Sequence, residues 1–137
     1  MPLEKKSLNS PDEIRIFPKG KVELVTIGDI TFGRGTFEPG WKWSTSLQPI
    51  VKTQSCKAPH TQYHVSGQLR VRMDDGTEEE FGPGDVSVLP PGHDAWVVGN
   101  EPVVVIDITG MTHYAENTNK KRKERNAVAK FGLDLFR

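Results

Sequence analysis

Fifteen residues constrain this chain more than any others: Gly82-Pro83-Gly84-Asp85-Val86-Ser87-Val88-Leu89-Pro90-Pro91-Gly92-His93-Asp94-Ala95-Trp96. Two turn signals bracket a short apolar strand, and a histidine stands on the second turn. Glycine supplies backbone angles that other residues resist, and proline cannot continue a hydrogen-bonded ladder, so the strand is stopped at both ends. Short strands held between tight turns suit a β-barrel whose strand ends and loops aim polar side chains into a cavity. A fold of that kind says where chemistry can sit without naming the chemistry.

The rest of the chain extends the same pattern. Strands are predicted over Val22–Ile27, Ile30–Phe37, Gln62–Val65, Gln68–Met73, Glu78–Phe81, Val86–Leu89, Ala95–Val98 and Val103–Ile108. Turn residues separate them, among them Gly28-Asp29, Ser66-Gly67, Asp75-Gly76 and Asn100-Glu101-Pro102. Short strands at near-regular spacing argue for an all-β sandwich or barrel. The clearest hairpin joins Leu69–Met73 to Thr77–Phe81 through Asp75-Gly76. Its register sets Arg70 opposite Glu80 and Arg72 opposite Glu78 as an outward charge ladder, with Leu69, Val71 and Met73 facing in. A length of 137 residues supports one domain with a real core. We divide it into an N-terminal arm over 1–20, a barrel over 21–110 and a C-terminal tail over 111–137.

Charge excludes some functions. The 18 Lys and Arg balance the 18 Asp and Glu, so no global footprint for nucleic acid exists. One basic run, Lys120-Lys121-Arg122-Lys123-Glu124-Arg125, falls in a predicted helix over 120–131. A single run in a neutral chain reads more simply as a solvated helix face than as a nucleic-acid contact. The apolar tail residues Phe131, Leu133, Leu135 and Phe136 would dock on the barrel or on a second subunit, and a homodimer is expected. No stretch approaches the roughly 18 apolar residues of a membrane span. The N-terminal residues lack the apolar run of a secretion signal, and the single cysteine, Cys56, leaves no internal disulfide. A cytoplasmic protein is the expectation. Phosphate loops, dinucleotide fingerprints and nucleophile elbows are missing from the sequence.

The spacing of Gly84, Pro90 and Gly92 resembles the second histidine-bearing motif of the cupin superfamily. In that motif a glycine, a proline and a glycine precede a metal histidine and then an asparagine. Here Ala95 stands at the histidine position and Gly99 at the asparagine position, with Asn100 one place on and His93 two places early. In the first cupin motif, reading back from Gly67, His60 falls on the glutamate position, Cys56 on the second histidine and Gln54 on the first. The opening glycine is unmatched, so Trp41–Thr53 is read as an insertion or a rearranged lead-in. The resemblance covers about residues 36–108. It implies a double-stranded β-helix, or jelly-roll barrel, and pairing through edge strands and terminal segments. It also implies a small-molecule cavity, where cupins hold Fe, Mn, Ni, Zn or Cu on three histidines and a glutamate.

The occupants of those positions set the candidate site. Cys56, His60 and His93 are thiolate and imidazole donors, the usual ligands of zinc, with iron or copper admitted by ligand softness. Residues four apart on a straight strand lie about 13 Å apart, too far to share an ion. Pro59 disfavours a continuous ladder, and a bend at Lys57-Ala58-Pro59 would bring Cys56 and His60 together. Gln54, His64 and Trp96 are expected to line the pocket, and His113 to lie on the surface. Trp41 and Trp43 alternate as on one strand face, lining a pocket or filling the core. Asp94 would orient an imidazole, act as a base, or cap the turn. The bland alternative makes Cys56 a small buried hydrophobe in a metal-free pocket; Cys56 as a nucleophile on His60 lacks a local signature. Two functions follow. One is a small-molecule-binding cupin that acts as a metal-dependent enzyme on a small organic substrate, by dioxygenation, isomerisation or lyase chemistry. The other is a ligand-binding or sensory module without catalysis.

Overall fold

A computed structural model describes residues 2–52, 56–109, 111 and 114–116. Gln54, His113, the basic run and the predicted C-terminal helix lie outside the described residues.

Nine strands and two short helices follow one another along the chain: β1 (Glu13–Phe17), β2 (Gly20–Ile27), β3 (Ile30–Phe37), α1 (Trp43–Ser46), α2 (Gln48–Val51), β4 (His60–Ser66), β5 (Gln68–Met73), β6 (Glu78–Phe81), β7 (Val86–Leu89), β8 (His93–Val98) and β9 (Val103–Asp107). They build a six-stranded sheet in the order β1-β2-β3-β9-β4-β7 and a three-stranded sheet in the order β6-β5-β8. Neighbouring strands in both sheets run antiparallel. Inward side chains of the two sheets close on one core. The large sheet contributes Val22, Leu24, Phe37, Val103 and Val105, and the small one Leu69, Val71, Ala95 and Val97. Period-two alternation explains the split, because successive strand residues face opposite sides of a sheet.

Four strands have the bounds the sequence predicts, β3, β5, β6 and β7, and the hairpin pairs Arg70 with Glu80 and Arg72 with Glu78. Three others start two residues earlier than expected, β2 at Gly20, β4 at His60 and β8 at His93. Both histidines therefore open strands, so the strand backbone fixes where they point. Glu13–Phe17 was not expected as a strand. It pairs with β2 in full register as the edge of the large sheet. The anticipated strand through Trp41 and Trp43 is replaced by α1 and α2. Pro49 sits in the first turn of α2, where its missing N–H costs nothing, and both tryptophans end buried in the core.

Two glycines show why the turns hold. Gly67, between β4 and β5, has φ +75°, and a Cβ there would overlap the Pro102 carbonyl. Gly92 has φ +92° and donates its N–H to the Cys56 carbonyl at 2.7 Å. The second turn of the opening motif is thereby tied to the segment that carries the cysteine.

Candidate metal centre

β4 turns His60, Gln62 and His64 inward and Thr61, Tyr63 and Val65 outward. On the neighbouring β9, Val103, Val105 and Asp107 face the same interior, and Gln62 pairs with Asp107 in the ladder. Cys56 lies outside any strand but bridges to His93, donating its N–H to the His93 carbonyl at 2.7 Å. The bend at Lys57-Ala58-Pro59 then returns the chain to His60. Its effect is to set Cys56 Sγ 3.8 Å from His60 Nε2.

Cys56, His60 and His93 are all buried, and one donor atom from each lies within 4.8 Å of the others. Zinc bonds of about 2.0–2.3 Å would set tetrahedral donors about 3.5 Å apart. The Cys56–His60 separation is close to that already.

Both imidazoles are oriented from behind. His60 Nδ1 lies 2.6 Å from Asp107 Oδ2, and His93 Nδ1 lies 2.7 Å from the Pro90 carbonyl. A carbonyl oxygen can only accept, so His93 Nδ1 carries the proton and its Nε2 is left as a donor of a lone pair. A carboxylate imposes the same tautomer on neutral His60. Asp107 is itself fully buried, and it accepts from Gln62 Nε2 at 3.0 Å and from the Thr109 N–H at 2.8 Å. Metal-ligating histidines are held by such outer partners, which fix ring orientation and raise ligand basicity.

Electrostatics favours the same donor set. Burial pushes the Cys56 thiol up, but the adjacent His60 and His93 imidazoles outweigh it and bring the thiol to about 6. Burial pushes His60 down, and the hydrogen bonds and charges of Asp107 and Cys56 outweigh it, raising the imidazole to about 9. Both shifts run toward a thiolate beside an imidazolium. A divalent cation would compete with a proton for the same sulfur and nitrogen.

A cavity of about 20 Å³ adjoins His60 and His93, with Phe37, Trp41, Gln62 and Ala95 among its walls. Tyr114 closes it, its ring edge-on to His60 at 5.4 Å between centroids. Arg15 pins that residue by donating to the Tyr114 carbonyl at 2.7 Å. A larger groove of about 140 Å³ opens between β6 and β7, lined by Val71, Met73, Phe81 and Val88, and Leu89 belongs to both spaces.

The fold now bears comparison with solved structures. No protein-family model matches the sequence, and no curated protein does. A sugar phosphate isomerase from a cupin superfamily, from Silicibacter pomeroyi, superposes with a TM-score of 0.55 at 19% identity, over 78% of this chain and 75% of that one. This is the cupin fold. A polyketide cyclase from Streptomyces resistomycificus shares it with a TM-score of 0.56 at 15% identity, over 79% of both chains. A protein of unknown function from Rhizobium leguminosarum matches with a TM-score of 0.53 at 21% identity, over 80% of this chain and 98% of that one.

Within the cupin barrel, the structure separates the residues that the sequence grouped. Cys56, His60 and His93 come together. His64 is buried but away from the cavity, stacked on Phe81 at 5.1 Å with its Nε2 2.8 Å from Ser87 Oγ. Burial holds its imidazole below the ordinary value. Trp96 is not brought to the cavity. It stands three residues after His93 on one strand, hence on the opposite face, with Lys42 Nζ 5.1 Å from its ring centroid. Among the described residues Asp94 hydrogen-bonds to no histidine; it accepts from the Ser44 N–H at 3.1 Å and so caps α1. Trp41, Trp43 and Ala95 do line the cavity.

Asp107 and Tyr114 were missed in the sequence. For Asp107 a signal was present: a lone acid closing the apolar run Val103-Val104-Val105-Ile106, with the inward parity of Val103 and Val105. For Tyr114 there was none. Among the described residues no helix is long and apolar enough to cross a membrane.

Proposed function

We propose that this cupin barrel holds a divalent metal on Cys56 Sγ, His60 Nε2 and His93 Nε2, zinc by ligand type, and uses it on a small organic molecule. The supporting observation is that both imidazoles commit Nδ1 to a protein acceptor, and that one ligand atom from each lies within 4.8 Å of the Cys56 sulfur. When bound, the ion supplies Lewis acidity: it polarises a substrate oxygen or lowers the pKa of a water. The protein's residues do the rest. Asp107 holds His60 in one tautomer, the Pro90 carbonyl does so for His93, and Phe37, Leu69 and Leu89 keep the surroundings apolar. The inner cavity is too small for an organic molecule, so we place the substrate's apolar part in the groove between β6 and β7, reaching past Leu89.

A second reading draws on the same residues. Cys56, His60 and Asp107 also form a nucleophile, base and orienting acid in line. His93 distinguishes the two, since a nucleophile needs no second imidazole and a metal does. Alkylation of Cys56 by iodoacetamide decides between them. Under the metal reading, zinc protects Cys56 in the native protein, and His93→Ala abolishes protection. Equal alkylation rates with and without zinc would refute the metal reading.

We also propose a homodimer through the outer face of β4 and β7, at the edge of the large sheet. Tyr63 and Val65 lie exposed there beside Val86 and Val88, which are 70% and 72% exposed. An apolar face on a free edge strand suits pairing with a second copy.

A further inference from the structure

Two residues that line the same small cavity each carry a buried polar atom without a hydrogen-bond partner among the described residues: Trp41 Nε1 and Gln62 Oε1. Buried polar groups are rarely left so, and each such case asks for an explanation. The two are opposite in kind. An indole N–H can only donate, and an amide oxygen can only accept. The Gln62 amide cannot exchange its ends to escape this. Its Nε2 donates to Asp107 Oδ2 at 3.0 Å, and a flip would press one acceptor against another. Asp107 thus fixes Gln62 Oε1 as firmly as it fixes the His60 ring. Another buried atom of this type, His64 Nδ1, is on a residue that does not line the cavity.

The space between is small and selective. At about 20 Å³ the cavity holds about one water, and Phe37, Leu69, Leu89 and Ala95 supply apolar walls. Ala95 contributes only a methyl group here. The other lining residues with polar groups are His60 and His93 of the proposed metal centre, Trp43 and Tyr114.

We infer that Trp41 and Gln62 position a protic, water-sized ligand next to the Cys56–His60–His93 cluster, Trp41 Nε1 donating to it and Gln62 Oε1 accepting from it. The inference rests on the metal reading above and deepens it by assigning the position beside the three protein donors. The matching ligand carries both a lone pair and an acidic hydrogen. An anion that only accepts would keep the Trp41 bond and meet the Gln62 oxygen as a repulsive neighbour. Trp41 and Gln62 are positioning residues in this scheme: they select a ligand by its hydrogen.

Azide, an acceptor-only anion, tests this on full-length protein loaded with cobalt(II), whose absorption reports both metal occupancy and exchange of the neighbouring ligand. Trp41→Phe should raise the azide Kd roughly tenfold or more, as loss of a buried hydrogen bond to an anion does. Gln62→Met should leave that Kd unchanged or lower it. This opposition of sign is what a merely structural role for the two residues would not produce. Azide affinity that is insensitive to both substitutions, or equally weakened by both, overturns the inference while the cobalt spectrum still upholds the metal centre. Should Trp41→Phe fail to fold, since its ring packs 4.3 Å from Phe37, the Gln62→Met arm decides alone: weaker azide binding there overturns the inference. A protein that takes up no cobalt refutes the metal reading itself, and the inference falls with it.

Discussion

Asp107→Asn isolates how much of the centre depends on its outer partner. Asp107 is fully buried and uses both oxygens: Oδ2 faces His60 Nδ1 and Gln62 Nε2, and Oδ1 accepts from the Thr109 N–H. Asparagine keeps the shape but has one oxygen. Turned one way its amide NH₂ meets the Thr109 N–H. Turned the other it meets His60 Nδ1–H and Gln62 Nε2. Either placement sets donor against donor and strands a buried group, at a cost of about 1–3 kcal/mol. Loss of such an outer partner typically weakens metal affinity about 10–100-fold, or about 1.4–2.7 kcal/mol. Competition for zinc against a chelator reads the affinity, and thermal unfolding reads the stability. Asp94→Asn is the control, since Asp94 caps α1 from the other face of β8 and should leave zinc affinity unchanged. Zinc affinity of the Asp107→Asn protein within twofold of the native value would refute the claim that Asp107 orients a ligand.

Other outcomes follow from single features. Gly67→Ala should lose about 2–5 kcal/mol in urea unfolding, because a Cβ at φ +75° is strained and also overlaps the Pro102 backbone. Glu23 accepts from Arg34 Nε at 3.0 Å and Nη2 at 3.2 Å, and these bonds hold its carboxyl below the ordinary 4.5. A lowered folded value means the pair stabilises above about pH 4.5 and loses that contribution as the pH falls through the folded value. Native and Glu23→Gln unfolding curves should therefore differ by about 1 kcal/mol at pH 7 and converge in acid. For the dimer, Val88→Lys should convert the protein to a monomer in light scattering, with barrel unfolding unchanged.

The sequence made the barrel legible wherever turn chemistry delimits a strand. Asp75-Gly76, Pro83-Gly84-Asp85 and Pro90-Pro91-Gly92 bound β5, β6 and β7 as expected. β1 escaped because its pattern is inverted. Ile14 and Ile16 face solvent, 51% and 81% exposed, while Arg15 reaches inward to the Met111 and Tyr114 carbonyls. α1 and α2 span four residues each, too short for a helical period to register. Spacing together with the break at Pro59 pointed to Cys56 and His60 as neighbours, and the parity of His93 pointed it inward. The same parity should have turned Trp96 out, since it stands an odd number of positions from His93. Asp107 lies 47 residues from His60, and no local pattern reports a partner brought in by sheet order. The cavity's paired orphan groups are likewise a product of packing, because Trp41 and Gln62 reach one cavity only when the lead-in to α1 pairs with β8.

The metal content of the full-length protein, purified without a histidine tag and read by mass spectrometry, bears on the central claim most directly. About one zinc, iron or copper ion per chain is expected, lost in Cys56→Ser and in His60→Ala. Protein that stays metal-free after loading with each of these ions, or that keeps its metal in both variants, would contradict it.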